Sequence, residues 1–287
     1  MKRIILVVLL VTIAALAGIV RSYSKTGRNL SDLPSVVSGD SNSQGDVRDE
    51  IRKTYELAAG ARVQVEGING AVKIETSDTR TAEIYIERTA KSAEALQRRK
   101  IVIENTANTL KIRGEKGDVG LISRIFGSSP NEKVTLKLPR QISLVTQGVN
   151  GAVTVGEIDG PVEVHGVNGK VDIAQATGSA EFHGINGNIS VALTRLEKDA
   201  VSLNGVNGNI ELRLADGINV ELEAHGMNGR VSSDLPDFVI DEQRHGNYHA
   251  RVGSGGNSIS ANGINGSIRL IRIAAAAVNS DAAKSKA

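Results

Sequence analysis

The sequence predicts an all-β fold: a parallel β-helix, or solenoid, of about seven to eight coils with an N-terminal capping region of strands and one short helix. Three observations predict it. The signature Gly-x-Asn-Gly, with Ile, Val or Met as x, occurs seven times; apolar residues alternate in a fixed frame around it; and equivalent positions repeat in kind from copy to copy. The corner pairs are Asn69-Gly70, Asn150-Gly151, Asn168-Gly169, Asn186-Gly187, Asn207-Gly208, Asn228-Gly229 and Asn265-Gly266. From Asn150 onward the asparagines lie 18, 18, 21, 21 and 37 residues apart. Fixed periods of this size mark a repeat architecture, and the last interval fits two coils with one degenerate signature between them.

Counted from each Asn, the positions six and four before, one before, and three and five after are apolar. The first copy supplies Val63, Val65, Ile68, Val72 and Ile74. Of the 35 such positions only Thr146 and Ser233 depart, with Ala counted as apolar. Alternation on both sides of a polar corner means strand, turn, strand with one face buried. Asn and Gly enter left-handed backbone at least cost, so the Asn-Gly pair is expected to fix the corner through its backbone geometry. Weaker turns at Asp159-Gly160, Thr177-Gly178 and Asp216-Gly217 close the opposite side, giving a coil of two short strands and two corners. An up-and-down antiparallel meander fits the same parity, because Asn-Gly is also a hairpin signal. Repetition in kind favours parallel stacking, which sets aliphatic on aliphatic and Asn on Asn, and stacked amides stabilise such columns.

On these residues, the Gly-Ile/Val-Asn-Gly repeats with their flanking aliphatics, the chain resembles the bacterial putative-adhesin families of β-helical domains. Among them is the autotransporter-adhesin head domain named for its Gly-Ile-Asn motif. The resemblance covers Thr54 to Ile273. It implies a β-helical fold and an adhesin-like role, and it brings no catalytic motif to carry over.

Taken in order, the chain divides into 1–21, 22–53, 54–140, 141–273 and 274–287. Lys2 and Arg3 precede an uncharged aliphatic run from Ile4 to Val20, and Ala15-Leu16-Ala17 offers a small-x-small site. That is the pattern of a secretory signal peptide cleaved after Ala17. The run also reaches the lower limit for spanning a bilayer, so an uncleaved N-terminal membrane anchor is the second reading, and both export the rest of the chain. Residues 22–53 read as a flexible linker, most clearly from Ser22 to Gln44, where Ser, Gly, Asp and Asn dominate. In 54–140 the first two signatures are separated too widely for a plain loop, and Ala82 to Arg88, Ile101 to Asn105, Thr109 to Arg113 and Lys133 to Leu138 read as strands. A helix is expected from Ser92 to Arg99, with Arg98-Arg99-Lys100 at its carbonyl end. This region would cap the stack, since an open coil is an edge that invites pairing. Leu121, Ile122, Ile125 and Phe126, in the loop from Gly114 to Asn131, are expected to pack on the cap. Residues 141–273 hold the repeats, with an interruption from Ser233 to Gly256 that distorts one coil or protrudes from it. The Ala, Ser and Lys tail, 274–287, reads as disordered.

Composition narrows the function. The formal charge of +2 falls to zero without Lys2 and Arg3, and a near-neutral exported chain is a poor nucleic-acid binder. The absence of Cys removes disulfide scaffolds and lipid-bearing cysteines. Three residues before each Asn the chain carries Glu66, Gln147, His165, His183, Asn204, His225 and Asn262, an outward polar column in which His165 and His183 would be neighbours about 5 Å apart. Two stacked imidazoles suit a metal or a pH-sensitive element. Glu, Gln and Asn in the same column favour a solvated ladder, so no metal is expected. Calcium-binding β-rolls need carboxylates at every corner, whereas Asn stands here. Glu163 and Glu181 share one outward column and Asp172 lies in another, but Gln64, Ser202 and Ser260 fill equivalent places, so no catalytic carboxylate pair is expected. Three Phe and four Tyr leave little aromatic surface for stacking on sugars. The expectation is a non-catalytic module without cofactor, working in the periplasm or at the cell surface on an unknown protein or cell-envelope component. Its alternatives are a structural or regulatory envelope component and, behind that, a polysaccharide-active β-helix enzyme.

Overall fold

The alternating rows of the repeat become the facing sides of two large sheets. The computed structural model describes residues 46–117, 129–196 and 201–273. The first region comprises β1 (Val47–Glu56), β2 (Ala61–Glu66), β3 (Val72–Ser77), β4 (Thr81–Ala90), α1 (Ala93–Gln97), β5 (Arg99–Thr106), β6 (Thr109–Lys116) and β7 (Asn131–Pro139). The repeats give β8 (Ile142–Gln147), β9 (Val153–Ile158), β10 (Val162–His165), β11 (Val171–Ala176), β12 (Ala180–Asn186), β13 (Ile189–Leu193), β14 (Val201–Asn207) and β15 (Ile210–Leu214). Then follow β16 (Val220–His225), β17 (Val231–Ser233), β18 (Phe238–Arg244), β19 (Asn247–Val252), β20 (Asn257–Asn262) and β21 (Ile268–Arg272).

One sheet has ten strands in the order β1-β4-β7-β3-β9-β11-β13-β15-β21-β17, the other eleven in the order β18-β19-β16-β20-β14-β12-β10-β8-β2-β6-β5. Each signature links a strand of the second sheet to a strand of the first, and such a pair is here termed a layer. Neighbouring layers are parallel, with like positions in register: Val162, Val164 and His165 face Ala180, Phe182 and His183, and Val171 faces Val153 and Ile189. Parallel register stacks the frame on itself, so the inward residues of both sheets join one aliphatic cluster. Phe182, the aromatic residue of that inward column, is fully buried. Truncating such a side chain typically costs about 3–5 kcal/mol. Thr146, one of the two departures from the frame, is also fully buried, and its hydroxyl has no hydrogen-bond partner.

The layers do not stack in chain order. Along the stack they run β6/β7, β2/β3, β8/β9, β10/β11, β12/β13, β14/β15, β20/β21 and β16/β17. At one end β6/β7 lies outside β2/β3, although it follows it in the chain. At the other end the last layer in sequence sits between two earlier ones: Ser202 of β14 faces Ser260 of β20, which faces Glu223 of β16. The 37-residue interval is therefore not two coils. Its middle has no inward apolar row, since β18 is half-buried at Phe238 and exposed from Val239 to Arg244. It folds instead as an antiparallel hairpin with β19, turning at His245 and Gly246 with φ of 46° and 81°, and β19 lies antiparallel on β16. The interruption thus covers the end of one sheet.

Three further expectations change. Residues 47–53, read as linker, belong to β1, which runs antiparallel to β4 over ten residue pairs. Its apolar residues Val47, Ile51 and Tyr55 come only every fourth place with charges between them, so they look like linker until β4 supplies Ala90, Ile86 and Ala82 opposite. The helix α1 is capped by Ser92, whose hydroxyl accepts from the Ala95 N–H at 3.2 Å, and it ends at Gln97. Arg99 and Lys100 belong to β5 and not to a helix end. The four strands read between Ala82 and Leu138 are β4 to β7. Leu121, Ile122, Ile125 and Phe126, the leader, the linker up to residue 45 and the tail lie outside the described residues.

Candidate functional site

The most regular outward feature is the corner face, and the four signature residues divide its construction between them. The first glycine of every signature, from Gly67 to Gly263, has φ between 60° and 65°, the left-handed turn that carries the chain from one sheet to the other. The second glycine serves a different need. A methyl group at Gly151, Gly169, Gly187, Gly208, Gly229 or Gly266 would lie under 3.0 Å from backbone atoms of the glycine in the adjacent layer. Stacked backbones leave no room there for a side chain. The asparagines are not left-handed: His245 is the one non-glycine with positive φ among the described residues. Their backbone therefore does not fix the corner. Their side chains do, through an unbroken ladder.

Asn150 donates its Nδ2 to Oδ1 of Asn69, Asn168 to Asn150, and Asn186 to Asn168, each at 3.1 Å. Asn207 continues to Asn186 at 3.0 Å, Asn265 to Asn207 at 2.9 Å and Asn228 to Asn265 at 3.1 Å. The ladder follows the spatial order of the layers, not their order in sequence. At its start Asn131 of β7 holds the equivalent place, but the bonds from Asn69 go to its neighbours Pro130 and Glu132. This fully buried carboxylate accepts from the Asn69 backbone N–H at 2.8 Å and pairs with Arg99 at 2.9 Å, while Asn69 Nδ2 donates to the Pro130 carbonyl at 2.8 Å. Arg99 also donates to the Gly67 carbonyl. The sequence reading missed this pair, since nothing periodic marks Glu132.

Beside the ladder runs the polar column expected from the sequence, in the spatial order Glu66, Gln147, His165, His183, Asn204, Asn262, His225. The His165 and His183 rings are neighbours, 6.1 Å apart between centroids and tilted by 59°. Asn262 donates to Asn204 at 3.2 Å, so amides bridge where imidazoles do not. Two carboxylates on this face meet cations: Glu163 lies 3.5 Å from Arg62, with the His165 ring 3.8 Å away, and Glu66 meets Lys111 at 3.0 Å. On the other sheet Lys170 holds Asp172 at 2.8 Å. Glu163 and Glu181 are cross-strand neighbours, as expected, on an open strand face.

The end hairpin gathers a second group that sequence reading did not assemble. Glu221 and Glu223 alternate on β16, and His249 of β19 stands opposite Glu223. His249 Nε2 lies 2.8 Å from Glu221 and its Nδ1 lies 3.7 Å from Asp241 of β18, which Arg251 also holds at 3.1 Å. The hydrogen bond to Glu221, then the charges of Glu221, Asp241 and Glu223, outweigh desolvation and raise the imidazole pKa above its ordinary value. Donor atoms of Glu221, Glu223 and His249 come within 4.8 Å of one another, a spacing that a divalent cation could bridge. The close contact to Glu221 is equally that of a protonated imidazole paired with a carboxylate. The signal for this group, Glu-x-Glu on a strand, is indistinguishable in sequence from ordinary outward alternation.

Among solved structures, a putative cell adhesion protein from Clostridium sporogenes is similar, with a TM-score of 0.41 and 18% identity over 79% of this chain and 100% of that one. A putative adhesin from Bacteroides fragilis follows with a TM-score of 0.33 and 17% identity over 77% and 97%. A putative lipid binding protein from Parabacteroides distasonis has a TM-score of 0.26 and 14% identity over 79% and 97%. No protein-family model and no curated protein matches the chain.

Proposed function

We propose that this chain is an exported, non-catalytic, adhesin-like interaction module of the cell envelope or surface, whose stacked layers form a parallel β-helix. In this reading there are eight coils, seven with the signature and one, β6/β7, without it. The observation that carries the proposal is the corner face. Seven asparagines in a continuous amide ladder, flanked by the column from Glu66 to His225, make a stiff polar surface whose groups repeat at strand spacing, about 4.8 Å. A surface of that kind offers many equivalent hydrogen-bonding groups to one extended partner, as display modules do. The corner residues from Asn69-Gly70 to Asn265-Gly266 build this face and carry no chemistry of their own.

The leader from Lys2 to Val20 supplies export, and it either is cleaved after Ala17 or stays as the anchor on the linker that follows. The partner is a protein or another envelope component, in the periplasm or outside the cell. Fractionation followed by cross-linking in cells, with identification of what is captured, tests both parts. Recovery with the envelope, joined to a discrete partner through the corner face, supports the proposal. Recovery in the cytoplasm, or turnover of a polysaccharide panel that is lost on mutating a surface groove, contradicts it.

A further inference from the structure

Strand β1 ends the ten-stranded sheet, and among the described residues it pairs only with β4. Its outer edge presents unpaired backbone groups over ten residues, Val-Arg-Asp-Glu-Ile-Arg-Lys-Thr-Tyr-Glu. Open edges are usually blocked by charge, and this one is heavily charged. The charges, however, are arranged in opposite pairs about Ile51. We infer that β1 pairs antiparallel with β1 of a second copy of this chain, around a two-fold axis through Ile51.

Symmetry restricts the choice of register. With the axis perpendicular to the sheet, residues directly opposite share a face, so their two numbers must add to an even sum. Pairing centred on Glu50 sets Glu50 against its own copy and Arg48 against Arg52. Pairing centred on Arg52 sets Arg52 against its own copy. Pairing centred on Ile51 sets Glu50 against Arg52 and Asp49 against Lys53, each twice, with no like charges opposed. It also places Val47 against Tyr55 and Ile51 against Ile51.

Conditions inside one copy favour the same register. Glu50 stands directly opposite Glu87 of β4; within one copy Arg52 holds Glu50 at 3.0 Å and Arg48 holds Glu87 at 2.6 Å, and Arg52 of a second copy would add a further cation beside this like-charge pair. Lys53 stands opposite Ile84 on the inward side of the sheet, with no carboxylate partner among the described ion pairs. Asp49 of the second copy, which Arg88 of its own chain already holds, would provide a shared one. Ile51 already packs against Ile86, so the two-fold axis would extend one aliphatic row through both copies.

The test uses the full chain, which contains no Cys. Sedimentation velocity on the intact protein should show a reversible dimer, with an affinity in the micromolar range expected of a small interface, weakening as salt rises. Glu50→Arg or Arg52→Glu alone should weaken it about tenfold, because each sets like charges opposite one another twice. The double variant Glu50→Arg/Arg52→Glu restores opposite charges and should recover the dimer. Ile51→Cys should cross-link to its own copy through a short bis-maleimide, whereas Val239→Cys on β18 should not. Circular dichroism checks that each variant is folded. A protein that stays monomeric up to about 100 μM, a double variant as weak as the singles, or cross-linking through Val239→Cys alone would overturn the inference.

Discussion

Between β8 and β15 every neighbouring strand is parallel, and every signature corner is built from the same two glycines and one asparagine. At the two ends the sheets turn antiparallel, and side chains that occur once replace the repeat. At one end Glu132, paired with Arg99, takes the Asn69 backbone N–H where the ladder stops. At the other, the Tyr248 hydroxyl donates to the Gly229 carbonyl at 2.8 Å and the β18/β19 hairpin covers the edge. The comparison teaches that the repeat determines how any two layers fit together, but not which layer lies beside which. All signature layers are near-equivalent partners, so the specific ends decide the order.

The largest effect should come from the middle. Gly187→Ala forces a methyl group into the backbone of Gly169, which cannot move without disturbing the next layer, so a loss above about 3 kcal/mol is expected in denaturant unfolding. At the cap, Glu132→Gln keeps an acceptor for Asn69 but leaves Arg99 without its buried carboxylate; about 2–3 kcal/mol is expected, near the lower end for breaking a buried pair. Gly184→Ala probes the other glycine. Its φ is 64° and the nearest atoms to an added methyl lie at 3.8 Å, so strain alone should cost about 1–2 kcal/mol. Equal losses for Gly184→Ala and Gly187→Ala would merge the two roles that the geometry separates. Asn168→Ala removes two ladder bonds at an exposed position and should cost about 1 kcal/mol.

The smallest effect belongs to the end hairpin and depends on pH. The folded-state pKa of His249 is raised, so its pairing with Glu221 contributes fully below the ordinary imidazole range and is lost as pH rises through the folded value. Because the group is partly exposed, the loss should stay below about 1 kcal/mol. Melting temperature should therefore fall by no more than about 2–4 °C between acidic and alkaline buffer, and His249→Gln should flatten that slope. A slope unchanged in the variant would locate the pH dependence elsewhere.

Much of the middle was legible from the residues because burial on one face writes a period into the chain. The frame from Val63 to Ile74 and its copies gave the strands, the corners and the parallel neighbours His165 and His183. What failed was what a period cannot carry. Asn-Gly is a left-handed signal in general, yet stacking gives that backbone to the first glycine and leaves Asn to hydrogen-bond along the ladder. Glu132 and His249 act through partners far away in sequence, and β1 shows its apolar residues only when β4 is beside it. The 37-residue gap looked like two coils because its length fits two; its lack of an inward row was the better clue.

The central claim is that the final layer lies inside the stack, and the absence of Cys makes it directly testable. Ser202 and Ser260 face each other on β14 and β20, at a strand separation of about 4.8 Å that a disulfide can span, whereas Ser202 and Glu223 are two strands apart, about 10 Å. Mild oxidation followed by non-reducing electrophoresis and peptide mapping should find an intramolecular disulfide in Ser202→Cys/Ser260→Cys and none in Ser202→Cys/Glu223→Cys. The reverse result, with the bond joining positions 202 and 223, would mean that the layers stack in chain order.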